Sequence, residues 1–293
     1  MNESTETAKN TLLAVAFATI GSLLSTPPAT AEQVHLSIEN LAPRGGLFLT
    51  PVWIGAHDGN FDLFSVGASA SAGVESLAED GATGGVMGEF TTRAPGGVQT
   101  TVVSPGGFPG APVFDPGERV TVTLNLNPLT NRYLSYASMV IPSNDAFIGN
   151  DDPRAIQLFD AAGNSTGPLS VIVMGSDVLD AGTEDNTEME AAFINQTGPN
   201  MGPTTVGGVV SPHQGFIDSF ANPNPGGMPT ILGGTTAAGT FLDPTLADFT
   251  QPGTPVARIT VIPTPSAFAA AGAGPAVLLM CRLMGKRRQP CNA

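Results

Sequence analysis

Residues 133–149 read YLSYASMVIPSNDAFIG. Tyr133 to Ile141 is an apolar run rich in β-branched and aromatic residues, and such a run reads as a strand. Pro142 then stops it, and Ser143-Asn144-Asp145 places a carboxylate in the turn that follows. The same order of events recurs downstream. Leu169 to Met174 reads as a strand, and soon after it Asp180-Ala181-Gly182-Thr183-Glu184 puts two more acids in a turn. An apolar run, a turn and an acid therefore set the theme of the chain.

Outward from that stretch the pattern stays β-rich. Val34 to Ile38 alternates with period two, and Val98 to Val103, Val120 to Leu126, Ala155 to Phe159 and Val256 to Ile262 are bounded by Gly, Pro, Asn or Asp. Phe48 to Ile54 has strand composition, but Pro51 demotes it to an edge or a bulge. One helix stands out, Ser71 to Glu79, which stops before a glycine. Asn222 to Pro255 is rich in Gly, Pro and Thr and reads as a long loop feeding the last strand. Many short strands with one short helix predict an all-β fold, an antiparallel β-sandwich.

The ends of the chain differ from its middle. Lys9 precedes an apolar run from Leu12 to Leu24, followed by Pro27, Pro28 and the small-residue site Ala29-Thr30-Ala31. That order predicts a secretory signal peptide over residues 1–31. At the other end, Pro263-Thr264-Pro265 leads into apolar residues from Ala267 to Met280, then Arg282, Lys286, Arg287 and Arg288. The apolar part is shorter than the roughly 17 to 25 residues a membrane span needs. This tail, residues 263–293, resembles the PEP-CTERM sorting signals of bacterial exported proteins, in a Pro-Thr-Pro form. The resemblance implies transient membrane contact, basic side inward, followed by processing. The plainer alternative is an uncleaved anchor.

Residues 32–262, the expected domain, hold 23 carboxylates, six arginines and no lysine, a balance of −17. Such a surface repels nucleic acid and other polyanions. Both cysteines, Cys281 and Cys291, fall in the tail. The domain must therefore be held by its own core or by a metal.

Enzyme templates fit poorly. Gly163-Asn164-Ser165-Thr166-Gly167 matches G-x-S-x-G, yet it lies between β runs in a turn-rich stretch rather than at a strand-to-helix elbow. His35, His57 and His213 are isolated, without a zinc-protease motif. No nucleotide-binding glycine loop is present. The surviving catalytic alternative is a secreted carboxylate-dependent hydrolase acting on glycans, for which paired acids suffice.

A dense set of unpaired carboxylates outside the cell suits calcium, which takes six to eight oxygens from flexible loops. Asp180 and Glu184 flank one turn, and Asp145 on another loop could close the site. The EF-hand spacing is absent. The residues alone leave a second reading open: these acids cap turns and keep the chain soluble.

The segments ESLAEDG (75–81), ASMVIPSNDAFIG (137–149), DAGTEDNTE (180–188), PHQGF (212–216) and PVARITVI (255–262) together resemble the spondin domain, in the form found in bacterial secreted proteins. The resemblance runs in order over residues 33–262. It implies an antiparallel β-sandwich similar to calcium-dependent lipid-binding sandwiches, with Asp145, Asp180 and Glu184 as calcium ligands. The animal domains carry Asp where Glu184 stands, and they carry cysteines that this middle region lacks. The implied protein is a secreted or cell-surface, non-catalytic module for adhesion or matrix association. Its ligand would be an extracellular polysaccharide or protein.

Overall fold

The computed structural model describes residues 31–104, 111–223 and 226–264. The expected signal peptide up to Thr30, and the sorting tail from Pro265, lie outside the described residues. Eleven strands, β1 (Glu32–Asn40), β2 (Phe48–Leu49), β3 (Val52–His57), β4 (Val98–Val102), β5 (Arg119–Leu126), β6 (Tyr133–Ile141), β7 (Ala146–Gly149), β8 (Leu169–Met174), β9 (Leu179–Asp180), β10 (Ser211–Pro212) and β11 (Pro255–Pro263), form two antiparallel sheets. One sheet has the order β5-β1-β11-β8. The other runs β10-β9-β7-β6-β3-β4, with β2 also paired to β6. Two α-helices, α1 (Ala72–Asp80) and α2 (Gly84–Arg93), accompany the sheets among the described residues. The protein is an all-β sandwich.

The two cores explain which runs looked continuous and which alternated. Val34, Leu36 and Ile38 of β1 and Ala257, Ile259 and Val261 of β11 point into the space between the sheets. They meet Val52, Ile54 and Ala56 of β3 there, while Ser37 and Thr260 pair on the outer face. The β1 sheet is covered on one side, so its strands alternate. The β3–β6 sheet is covered on both. Its second face carries Trp53, Ala137, Phe147 and Leu179, packed under Val74, Leu77 and Ala78 of α1 and Val86 and Phe90 of α2. That double cover makes every residue of β3 buried. Gly55 is needed in it, because a Cβ there would meet the rings of Trp53 and Phe90 within 3 Å.

Helix α1 is the one the sequence predicts. Ser71 caps it, its Oγ accepting from Val74 N at 3.2 Å, and Gly81 ends it at φ 68°. Helix α2 was not expected. Gly84, Gly85, Gly88, Thr91 and Thr92 are poor helix formers, and burial of Val86 and Phe90 holds it in place.

Two expectations need correction. Ala155 to Phe159 is not a strand: Leu134 N donates to Ile156 O, and Tyr133 makes a single bridge to Gln157. Ile156, Leu158 and Phe159 are apolar because they enter the inter-sheet core from a loop. Of the two expectations for Pro51 the bulge holds and the edge does not: the register against β6 shifts by one residue between Leu49↔Val140 and Trp53↔Ala137. Pro51 falls between β2 and β3, and β3 lies inside its sheet between β6 and β4. The long approach to the last strand is as expected, with no named strand or helix among the described residues from Asn222 to Thr254.

At one end, β1 begins at Glu32, directly after the expected cleavage site. At the other, β11 runs to Pro263, and Thr264 N still donates to Gln33 O at 3.0 Å. Among the described residues no helix is long and apolar enough to cross a membrane.

Candidate metal centre

The turn after β6 is built by its own side chains. Ser143 Oγ donates to Val140 O at 2.6 Å and accepts from Ala146 N at 3.1 Å, closing the turn so that β7 returns along β6. Asp145 stands at the entry to β7. Strand β9 pairs with β7, setting Asp180 opposite Ala146, and Ala181 N donates to Asp145 O at 3.2 Å. Two acids far apart in sequence thus become neighbours at the end of one ladder.

Asp145 is fully buried. Its Oδ2 accepts from Thr183 N at 2.8 Å, Glu184 N at 3.1 Å and Thr183 Oγ1 at 3.3 Å. Its Oδ1 has no partner. A buried carboxylate oxygen without a donor is costly. Burial, reinforced by the charge of Asp180, pushes the Asp145 carboxyl up to about 6.

Asp180 is held from both sides. Its Oδ1 accepts from Gly182 N at 2.6 Å, and its Oδ2 accepts from Asn186 Nδ2. Gly182 sits at φ 69°, and a Cβ on it would strike the Val209 backbone at 2.5 Å. The Asp-Ala-Gly-Thr turn therefore requires its glycine. Burial raises the Asp180 pKa as well.

The structure brings Asp145 and Asp180 together, and turns the third expected ligand elsewhere. Glu184 is buried, with Oε1 accepting from Gly202 N at 2.8 Å and Oε2 from Asn144 Nδ2 at 3.2 Å. Burial raises its pKa too, and the charge that adds to the shift is Asp80, not Asp145 or Asp180. Among the described residues, no group of three or more His, Cys, Asp or Glu side chains is placed to hold a metal ion. What the geometry supplies is a carboxylate pair with one orphaned oxygen. The ion pairs among the described residues are Arg93–Glu89 and Arg258–Glu39, so neither acid of the pair has a cationic partner in them.

A second acidic feature was not singled out from the sequence. Glu75, Glu79 and Asp80 of α1 line a cleft of about 230 Å³ with Ala72, Ser76 and Asn200. Glu79 is almost fully buried. Burial pushes its carboxyl up to about 7, a hydrogen bond from Thr183 opposes the shift, and the charges of Glu184, Glu75 and Asp80 add to it. Asp80 is committed to the chain, with Oδ1 accepting from Gln196 Nε2 and Asn200 N. Asn144 ties Glu184 and Glu188 together, a role that no sequence signal marks. Its Oδ1 accepts from Glu188 N, and its Nδ2 binds Met189 O as well as Glu184.

Asp151 and Asp185, by contrast, are exposed. They accept from Val66 N and Thr205 Oγ1 respectively. The G-x-S-x-G segment lies in a turn in which Gly167 N donates to Ser165 Oγ, while the ring nitrogens of His213 face Asn186 and Gly215. No hydrolase elbow is assembled there.

A two-sheet antiparallel sandwich with acids gathered at the ends of its strands defines the class of module. Within that class, the family model described as Spondin_N matches residues 49–201, just over half of the chain. The match spans β2 to β9 and includes Asp145, Asp180 and Glu184. The chain belongs to the Spondin_N family. Among curated proteins no match is found.

Proposed function

We propose that the protein is a secreted, non-catalytic calcium-binding module acting at the cell surface or in the extracellular matrix, with residues 32–262 as its domain. Membership in the Spondin_N family supports an extracellular module. The observation that carries the calcium reading is Asp145 Oδ1, fully buried and without a donor, beside the carboxylate of Asp180. A buried carboxylate beside a half-buried one, with no cationic side chain, suits a hard cation with a preference for oxygen. Asp145 and Asp180 would hold the ion. Glu184 faces Gly202 N and Asn144, and the charge that acts on it is Asp80 rather than Asp145 or Asp180, which makes it the weakest of the three assignments. Calcium would supply the positive charge that these side chains lack.

The test is thermal unfolding of the domain with calcium and with chelator. Saturation at about 100 times Kd should add about 2.7 kcal/mol of stability. An unchanged melting temperature, with no calcium by elemental analysis, overturns the reading.

One observation favours the rival glycan hydrolase. Glu79, with its raised pKa, lies in a cleft beside two other carboxylates, as a general acid would. Among the described residues, however, the cleft wall has no aromatic side chain to pack against a sugar, and Glu79 is almost fully buried. Glu79→Gln should leave any ligand binding intact and abolish turnover only if the hydrolase reading holds.

The tail, residues 263–293, belongs to the same proposal. It would stop the exported chain in the membrane briefly and then be removed. Intact mass spectrometry of the exported protein decides between this and retention of Arg287 and Arg288 in a membrane anchor.

A further inference from the structure

The hydrogen bonds behind Asp180 lead to a histidine that the metal reading does not use. His213 follows β10 directly, and its backbone N donates to Val178 O at 3.0 Å, next to β9. The ring is buried between two others. Its centroid lies 5.7 Å from that of Phe216 and 5.4 Å from that of Phe249, both edge-on, and those two meet each other edge to face at 5.1 Å. Such packing leaves the imidazole little freedom to turn.

The donors around it then fix its chemistry. Gly215 N lies 2.9 Å from His213 Nδ1. A backbone N–H only donates, so Nδ1 carries the lone pair, the ring is neutral and its proton sits on Nε2. Burial, which holds the His213 pKa down to about 4, agrees with that state. Nε2 lies 3.2 Å from Asn186 Oδ1, so the amide oxygen accepts the ring proton. With its oxygen taken that way, the Asn186 amide must present its NH2 to Asp180 Oδ2. One backbone N–H thereby sets the orientation of a carboxylate three groups away.

We infer that His213 and Asn186 are positioning residues for the cation site, locking the Asp180 carboxylate between the Asn186 amide and Gly182 N beside Asp145. The inference rests on the calcium reading above and deepens it. Donors behind a ligating carboxylate hold it in place before the ion arrives, and losing such a partner typically weakens metal binding 10- to 100-fold. Asn186 is exposed, so its replacement does not threaten the core, whereas His213 is buried and must be replaced by shape.

The experiment measures calcium affinity by titration calorimetry in four variants whose folding is checked by melting in chelator. Asn186→Ala and His213→Phe should each weaken calcium binding by about 10-fold or more. The double variant should be no weaker than the poorer single one, because the two residues act in series. His213→Gln, which restores an N–H near the Nε2 position, should recover most of the loss. Losses that multiply in the double variant, or variants that bind like the wild type, overturn the inference and leave the calcium reading standing. A wild-type chain that takes no calcium overturns both. Nitrogen-15 NMR of the chelated protein supplies an arm free of calcium: the Nε2–H tautomer is expected, and an Nδ1–H or doubly protonated ring contradicts the inference.

Discussion

Glu188 and Asp145 are two buried acids joined through one residue, since Asn144 neighbours Asp145 and accepts from Glu188 N. Their surroundings are opposite. Glu188 Oε1 accepts from Ile217 N at 2.8 Å, and Oε2 accepts from Thr230 N, Ile231 N and Thr230 Oγ1 at 2.6, 3.0 and 3.1 Å. Backbone dipoles surround that charge, and the carboxylate pins Ile217, Thr230 and Ile231 to the acidic turn. Asp145 has donors on one oxygen, none on the other, and a second carboxylate beside it. A buried charge met by N–H groups is complete as structure, whereas one met by another negative charge needs a cation.

The largest expected effect breaks the complete site. Glu188→Ala strands several buried N–H groups and should cost about 3 to 5 kcal/mol in denaturant unfolding. The loss should be the same in chelator and in calcium, because Glu188 is not placed among the ligands. A loss that appears only in calcium would put Glu188 in the metal site.

The incomplete site should reveal itself through pH. Asp145 is raised from 3.8 in the unfolded chain to about 6 in the fold. Between those values the folded state binds the extra proton, so this group's contribution to stability is greatest in acid and falls as pH rises. His57 and His213, both lowered to about 4 by burial, act in the opposite direction over the same range. Only a difference between variants isolates Asp145. In chelator, Asp145→Asn should gain on the wild type by roughly 2 kcal/mol between pH 4 and pH 7. A difference that does not change with pH would mean that Asp145 titrates as an ordinary surface acid. In calcium the comparison should reverse at pH 7, since the ion needs the ionised form.

The smallest effects belong to the solvated acids. Asp151→Ala and Asp185→Ala should stay within about 0.5 kcal/mol and keep the calcium response. If they behave like Asp145→Asn and Asp180→Asn, the acidic turns act as a diffuse counterion cloud rather than a site.

What was legible in the sequence follows from which forces act locally. Strand β6, the turn at Ser143 and helix α1 with its Ser71 and Gly81 caps are written in neighbouring residues. Strands β7, β9 and β10 are four residues or fewer and exist through pairing with distant partners, so no local pattern marks them. Helix α2 opposes its own propensities and is held by two buried side chains. At the site, acids crowded into turns pointed to Asp145 and Asp180. The commitment of Glu184 to Gly202, and the amide nest around Glu188, depend on loops folding back from about residue 200 onward. Nothing in the acidic turn itself announces them.

The most direct test of the account is calorimetric titration of calcium into residues 32–262, repeated for Asp145→Asn and Asp180→Asn. A cation held by Asp145 and Asp180 requires one bound ion in the wild type, none in either variant, and variants that still fold in chelator. A wild type that takes up no calcium, or variants that bind it as tightly as the wild type, would contradict it.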